Sequence, residues 1–261
     1  MGITLLGGCA RTDIYSYTCN APGALRPCKS ACGTGFERCE NQLWQACDAP
    51  QPKPPADQIA IAGTIRDFHP THPDFERPLD MVGDDRGIIT ATLGADGEPV
   101  YAHDGATQTV TSPASFFQWF HDDASVNVSQ PKTLTLKKTS SSPLVYTFDD
   151  QSFFPIDGQL SGDEGNPHNF HFTLELHTSL VYRGGEELHF QGDDDLFVFI
   201  DKKLVIDLGG AHPQEGDSVR LDDLDLSRGA GYSFDIFFAE RHTSASTLHI
   251  ETTNAQFVNC P

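Results

Sequence analysis

The sequence is poor in positive charge, in methionine and tryptophan, and in long apolar runs. Of its 261 residues only 17 are lysine or arginine, against 37 aspartate or glutamate, a formal charge of −20. Such a surface repels nucleic-acid phosphates and anionic membranes, and no Lys/Arg cluster interrupts it. Both are excluded as main partners, whereas a divalent cation suits it. No apolar run approaches the roughly 18 residues of a membrane span. The chain also has no G-x-S-x-G, no H-E-x-x-H and no phosphate loop, so a non-enzymatic role is expected. Its many carboxylates leave a glycosidase-like pair formally open, but sequence alone names no two that face each other.

What is present favours β-structure. Glycine (23), proline (17) and phenylalanine (18) are abundant, and turns rich in Gly and Pro between short strands predict an all-β antiparallel sandwich. From Ile59 onward the apolar period is two. Phe170, Phe172, Leu174 and Leu176 alternate with His171, Thr173, Glu175 and His177, which predicts a strand with one wet face. Leu196 to Ile200 is continuously apolar and predicts a strand buried on both sides. Tyr232–Phe238 and Leu248–Ile250 alternate again, and Asp222, Asp223 and Asp225 read as a solvated strand face. One short helix is expected, with Ser112 as cap, Pro113 at its first position and Phe116, Phe117, Trp119 and Phe120 behind it.

Five of the seven cysteines, Cys19, Cys28, Cys32, Cys39 and Cys47, crowd into residues 19–49 without a C-x-x-C pair. Disulfides, and with them an oxidising compartment, are favoured over a zinc knuckle. A module this small needs such staples. Its order of parts resembles short extracellular modules of myxobacterial secreted proteins. Residues 50–58 follow as a proline-rich spacer, and 59–261 as the β domain. Within residues 1–18, Leu6-Gly7-Gly8-Cys9 resembles the lipobox of bacterial lipoproteins, which makes Cys9 a lipidation candidate and a lipid anchor the expected attachment. With Cys9 set aside, six cysteines remain and allow 15 pairings. Five of them lie in the module, an odd number, so one is expected to bridge to Cys260.

The sharpest chemical feature is Asp193-Asp194-Asp195 at the entrance of the most apolar strand. Adjacent carboxylates repel one another, and a hard cation with oxygen ligands would relieve them. Glu240 and His242, at the end of another apolar strand, could complete a metal shell, with Arg241 and Thr243 beside them on the ligand side. Asp207-Leu208-Gly209-Gly210-Ala211-His212 would let main chain approach a ligand, with His212 at the rim. Asp157 and Asn169 bracket a Gly- and Asp-rich loop. His69, His72, Asp74 and Glu76 lack standard ligand spacing and read as a rigid structural loop.

Taken in order, His72-Pro73-Asp74-Phe75-Glu76, Gln118-Trp119-Phe120, Phe153 to Gly158, His168 to Thr173, Gly192 to Ile200, Asp207 to Gly210 and Phe238 to His242 resemble the fibro-slime domain. The resemblance covers roughly residues 60–257. Ala211, Lys202-Lys203 and Leu196-Phe197 depart from the family pattern. The fibro-slime domain is similar to the lectin-like sandwich named after the anthrax protective antigen. In sugar-binding members of that group, two consecutive aspartates joined by a cis peptide chelate Ca2+, and the ion holds vicinal sugar hydroxyls.

The resemblance implies Ca2+ at Asp193-Asp194, or one residue later, with Glu240 to Thr243 as second loop. It implies Arg241, His212 and Asn169 as selectivity residues and a polysaccharide or cell-surface glycan as partner. The expectation is a Ca2+-dependent carbohydrate-binding adhesion module at a bacterial cell surface. The alternative is a self-associating slime or fibre protein in which Ca2+ only stiffens the fold. Non-reducing peptide mapping should join a module cysteine to Cys260; finding Cys260 as a free thiol removes that link.

Overall fold

The computed structural model describes residues 18–30, 32–50, 56–76 and 82–258, which form two compact units divided between Pro50 and Ala56. The first is the cysteine module. Strand β1 (Leu25–Ser30) pairs with β2 (Gly33–Glu40), and β2 with β3 (Leu43–Trp44). Asn41 and Gln42 both adopt positive φ, as a two-residue hairpin requires. Disulfides join Cys19 to Cys39 and Cys28 to Cys47. Each closes a loop of about twenty residues, worth ~3 kcal/mol against the unfolded chain. Cys32 is disulfide-bonded as well. Such bonding belongs to an oxidising compartment. Cys9 with its lipobox, and Cys260, lie outside the described residues.

The second unit is all-β. Its strands are β4 (Gln58–Phe68), β5 (Gly83–Asp84), β6 (Asn127–Ser141), β7 (Leu144–Asp150), β8 (Phe172–Val181), β9 (Glu187–Asp193) and β10 (Asp195–Ile200). They continue with β11 (Lys203–Leu208), β12 (Gly210–Ala211), β13 (Glu215–Arg220), β14 (Gly231–Glu240), β15 (Thr247–Thr253) and β16 (Gln256–Phe257). One antiparallel sheet runs in the order β11-β10-β14-β8-β4-β6-β7-β15-β9-β13, with β16 added to β8 and a separate β5–β12 ribbon. The sheet closes on itself as a sandwich. Leu174, Leu196, Val198, Ile236 and Phe238 of one half share a core with Leu188, Phe190, Leu248 and Ile250 of the other.

The half made of β10, β14 and β8 is covered on its outer face too. There Phe197, Phe199 and Phe237 meet Phe68, Phe75, Ile88, Phe116, Trp119 and Phe120, which come largely from the long segment between β4 and β6. That segment carries the expected helix, α1 (Pro113–Phe117), with Ser112 as cap in a capping box with Ser115. The double burial expected for Leu196–Ile200 follows from this arrangement. The same cover corrects the expected wet face of β8, because Thr173 and Glu175 are buried beneath it. Asp222 and Asp223 also differ from expectation. They belong to a single 3-10 turn, Leu221–Asp223, anchored by buried Leu221.

Gly63 on β4 lies against the main chain of β8, where an added Cβ would collide with the carbonyl of Glu175. Gly63→Ala should lower the urea midpoint by the equivalent of about 1–3 kcal/mol, since two strands must part to admit the methyl group.

Candidate functional site

Three chain crossings meet at one corner of the sandwich. β9 pairs with β15 and β13 in one half and β10 pairs with β14 and β11 in the other, so the chain changes halves at Asp193–Asp195. The link from β14 to β15 crosses beside it, because Asp195 is opposite Ala239 and Asp193 opposite Thr247. The segment 209–214, from β11 to β13, crosses at the same end. The peptide bond between Asp193 and Asp194 is cis, as the resemblance implied.

Asp195 and Arg241 tie these crossings together. Arg241 Nε donates to Asp195 Oδ2 at 2.6 Å, and the main-chain N–H of Gly210 donates to Asp195 Oδ1 at 2.7 Å. The other guanidinium nitrogens of Arg241 reach the carbonyls of Asp74 (3.1 Å) and Thr109 (2.8 Å) and the Thr109 hydroxyl (3.3 Å). Its plane covers Trp119 at 4.5 Å, and Trp119 Nε1 donates to Asp74 Oδ2 at 3.0 Å. Both Asp195 and Arg241 are shut off from solvent. The expectation that Asp195 faces a metal and Arg241 a ligand is therefore corrected: each turns inward and is engaged by the other.

Among the described residues, no guanidinium or ammonium bonds the side chains of the remaining corner carboxylates. Asp193 and Asp194 line a cleft of about 410 Å³, with Val82, Ala211, His212, Pro213, His242, Ser244 and Ala245 as its other walls. Asp194 Oδ2 accepts the main-chain N–H of Arg241 at 2.9 Å. Glu240 is wholly buried; its Oε1 accepts the His242 N–H at 3.2 Å, while Oε2 has no hydrogen-bond partner. Burial pushes Asp193 up to about 6 and Asp194 up to about 8. It also pushes Glu240 well above the usual carboxylate range, and Asp194 and Asp193 add their repulsion. Three desolvated carboxylates repel one another here, and oxygen donors of this kind suit a hard cation such as Ca2+.

The other expected site residues divide into two groups. His242 lines the cleft. His212 does too, but as a fixed wall, its ring nitrogens lying 2.9 Å from the Pro213 carbonyl and 3.2 Å from that of Leu208. Burial opposes the charge on His212, and those carbonyls with Asp195 outweigh it, so its pKa is raised. Thr243 is exposed, with its main-chain N–H held by Glu76 Oε1. Asn169 and Asp157 are not among the cleft walls. The Asn169 amide donates to Asp67 Oδ1 at 2.9 Å, and its N–H to Asp157 Oδ1 at 2.9 Å. These bonds brace the loop before β8. His72, Asp74 and Glu76 form the expected structural loop, with Asp74 also accepting from Thr111 N at 2.7 Å. Sequence reasoning missed Thr109, Val82, Ser244 and Ala245, and assigned Asp74 and Trp119 no part in the site. The order of their motifs was the one signal available.

Residues 165–255, which contain β8 to β15 and the corner residues Asp193–Asp195, 209–214 and 240–245, match the model of the PA14 domain. The chain is 39% identical over 209 residues to Protein psiQ and 41% identical over 215 residues to Protein psiD, both of Dictyostelium discoideum. The alignments cover 75% and 77% of this chain but only 21% and 42% of those proteins. The likeness is thus to one part of longer relatives, and the expected bacterial source finds no support in them. Among solved structures the PA14 sugar-binding domain from an RTX adhesin aligns at 13% identity and a TM-score of 0.33, over 77% of this chain and 99% of that one.

Arg241→Met would leave the corner carboxylates without their one engaged guanidinium. It should cost about 3–5 kcal/mol in denaturant unfolding. A loss below about 1 kcal/mol would show that the corner does not rest on this pair.

Proposed function

We propose that this chain is an extracellular, Ca2+-dependent carbohydrate-binding module that serves adhesion, and that it acts by binding rather than by catalysis. The observation that carries this reading is the cleft itself, lined by Asp193 and Asp194 beside buried Glu240, with Arg241, the guanidinium placed at this corner among the described residues, bonded to Asp195. Asp193, Asp194 and Glu240 would hold the ion, with His242 at the rim. A bound Ca2+ supplies a positive centre with spare coordination sites for vicinal hydroxyls. Asp195 and Arg241 act as positioning residues that fix the crossing strands. Ala211, His212, Pro213, Ser244 and Ala245 shape the wall against which a sugar ring packs, in place of the Arg241 and Asn169 that sequence suggested. The PA14 match spans all these residues except Val82. The ligand is then a polysaccharide or a cell-surface glycan, held weakly per site and strengthened by many copies at a surface. Display through a lipid on Cys9, the cysteine module and the proline spacer belongs to the same proposal.

The linkage has a definite sign. Each of the three carboxyls has a folded pKa above its unfolded value, so each keeps a proton in the folded state that the unfolded chain has released. Without metal, the stability these three groups contribute is fully present below about pH 4 and is lost as pH rises through their folded values, by up to ~1.4 kcal/mol per pH unit for each group titrating. Ca2+ competes with those protons.

Thermal unfolding with EGTA and then with millimolar Ca2+ tests the reading. Saturation at about 100 times the dissociation constant adds about 2.7 kcal/mol, a rise of about 5–11 °C. The rise should be larger near pH 8 than near pH 5.5 and absent in Asp194→Asn. That variant should be more stable than the wild type in EGTA near pH 8, because a buried charge is gone. A glycan array in Ca2+ then identifies the sugar. No thermal shift, together with no calorimetric Ca2+ binding, sinks the mechanism; concentration-dependent assembly indifferent to sugar would then favour a matrix protein.

A further inference from the structure

A second group of metal-ligating side chains lies on the outer face of the sheet, apart from the corner. Glu175 and His177 are two residues apart on β8 and share the face of Phe237 and Asp235 on β14. Glu98 reaches them from the segment between β5 and α1. One donor atom from each of Glu98, Glu175 and His177 lies within 4.8 Å of the other two.

Each donor is held from behind. His177 Nδ1 bonds Asp235 Oδ1 at 3.0 Å, which directs Nε2 away from Asp235. Arg66 grips Glu175 in a fork, Nη1 to Oε2 at 2.9 Å and Nη2 to Oε1 at 3.4 Å, and its Nε bonds Asp122 at 2.9 Å. Each Glu175 oxygen keeps a further lone pair. Glu98 sits in a tight turn, its carbonyl accepting from Gly94 N at 2.8 Å and its own N–H donating to Asp96 at 3.2 Å. Within that fixed frame Glu98 Oε2 is closed to solvent and receives no donor, the carboxyl facing that of Glu175. Burial and the neighbouring Glu175 push Glu98 up to about 8, against the pull of His177 and Arg66. An orphaned carboxylate oxygen, a second carboxylate steered by arginine and an imidazole steered by aspartate together form a supported ligand set. The His177 side chain is 41% exposed, which leaves a path for entry.

We propose that Glu98, Glu175 and His177 bind a divalent transition-metal ion of the zinc type, with Asp235 and Arg66 as positioning residues. A nitrogen with two carboxylate oxygens suits Zn2+ better than Ca2+, whose ligands are oxygens alone. Three protein ligands leave a fourth position for water.

The test uses the full chain with free thiols alkylated and metal removed by EDTA, titrated with Zn2+ in a calorimeter at neutral pH. One equivalent should bind to the wild type and to Asp194→Asn, which separates this site from the corner. His177→Ala and Glu98→Gln should lose it, and Asp235→Asn should bind about 10–100-fold more weakly. Zinc-edge X-ray absorption on the wild type should show imidazole nitrogen among the ligands, a readout that depends on no variant folding. Wild-type affinity retained in His177→Ala, loss of zinc in Asp194→Asn instead, or an all-oxygen zinc shell would each overturn the proposal.

Discussion

The second unit depends on one buried ion pair. Arg241 and Asp195 are withdrawn from water, at a cost that only close geometry and full hydrogen bonding offset. Both conditions are met here. The guanidinium meets a carboxylate, two carbonyls and a hydroxyl, with an indole against its face, while the carboxylate also accepts from Gly210. The partners come from the β9–β10 junction, the end of β14, the start of β12 and the long segment between β4 and β6. A single contact set thereby joins both halves of the sandwich to the layer that covers one of them.

That pair also determines what is left over. Four acidic side chains converge on the corner, and the Arg241 guanidinium is bonded to Asp195. Asp193, Asp194 and Glu240 therefore stay charged only at a cost, and their proton affinities rise. The structural salt bridge and the open cleft are two consequences of the same excess of negative charge.

The outer layer has a similar double role. By covering β8, β10 and β14 it turns a wet face into a second apolar core, with Phe197, Phe199 and Phe237 against Phe116, Trp119 and Phe120. Where that core ends, polar residues of β8 and β14 meet Arg66 and Glu98 in a partly enclosed cluster. Alternation along β8 correctly marked Phe172, Leu174 and Leu176 as core. It could not reveal the cover, because Thr173, Glu175 and His177 have the polarity of a solvated face whether water or a protein layer lies above them.

By itself the sequence determined the class of fold, the strand built from Leu196 to Ile200, the short helix after Ser112, the use of cysteine in disulfides and Asp193-Asp194-Asp195 as the place where like charge crowds. These are local properties: period, turn residues, capping and the crowding of like charge. Only the tertiary structure decided which acid faces the cleft and which faces inward. Asp193, Asp194 and Asp195 are equivalent by composition, yet one peptide step across a sheet junction points Asp195 at Arg241 and leaves the other two on the cleft wall. It likewise turned Arg241 from a ligand residue into a buried brace and set Asn169 within a loop apart from the cleft walls. Such assignments depend on partners far away in the chain, Thr109 and Asp74 among them, that no spacing along it encodes.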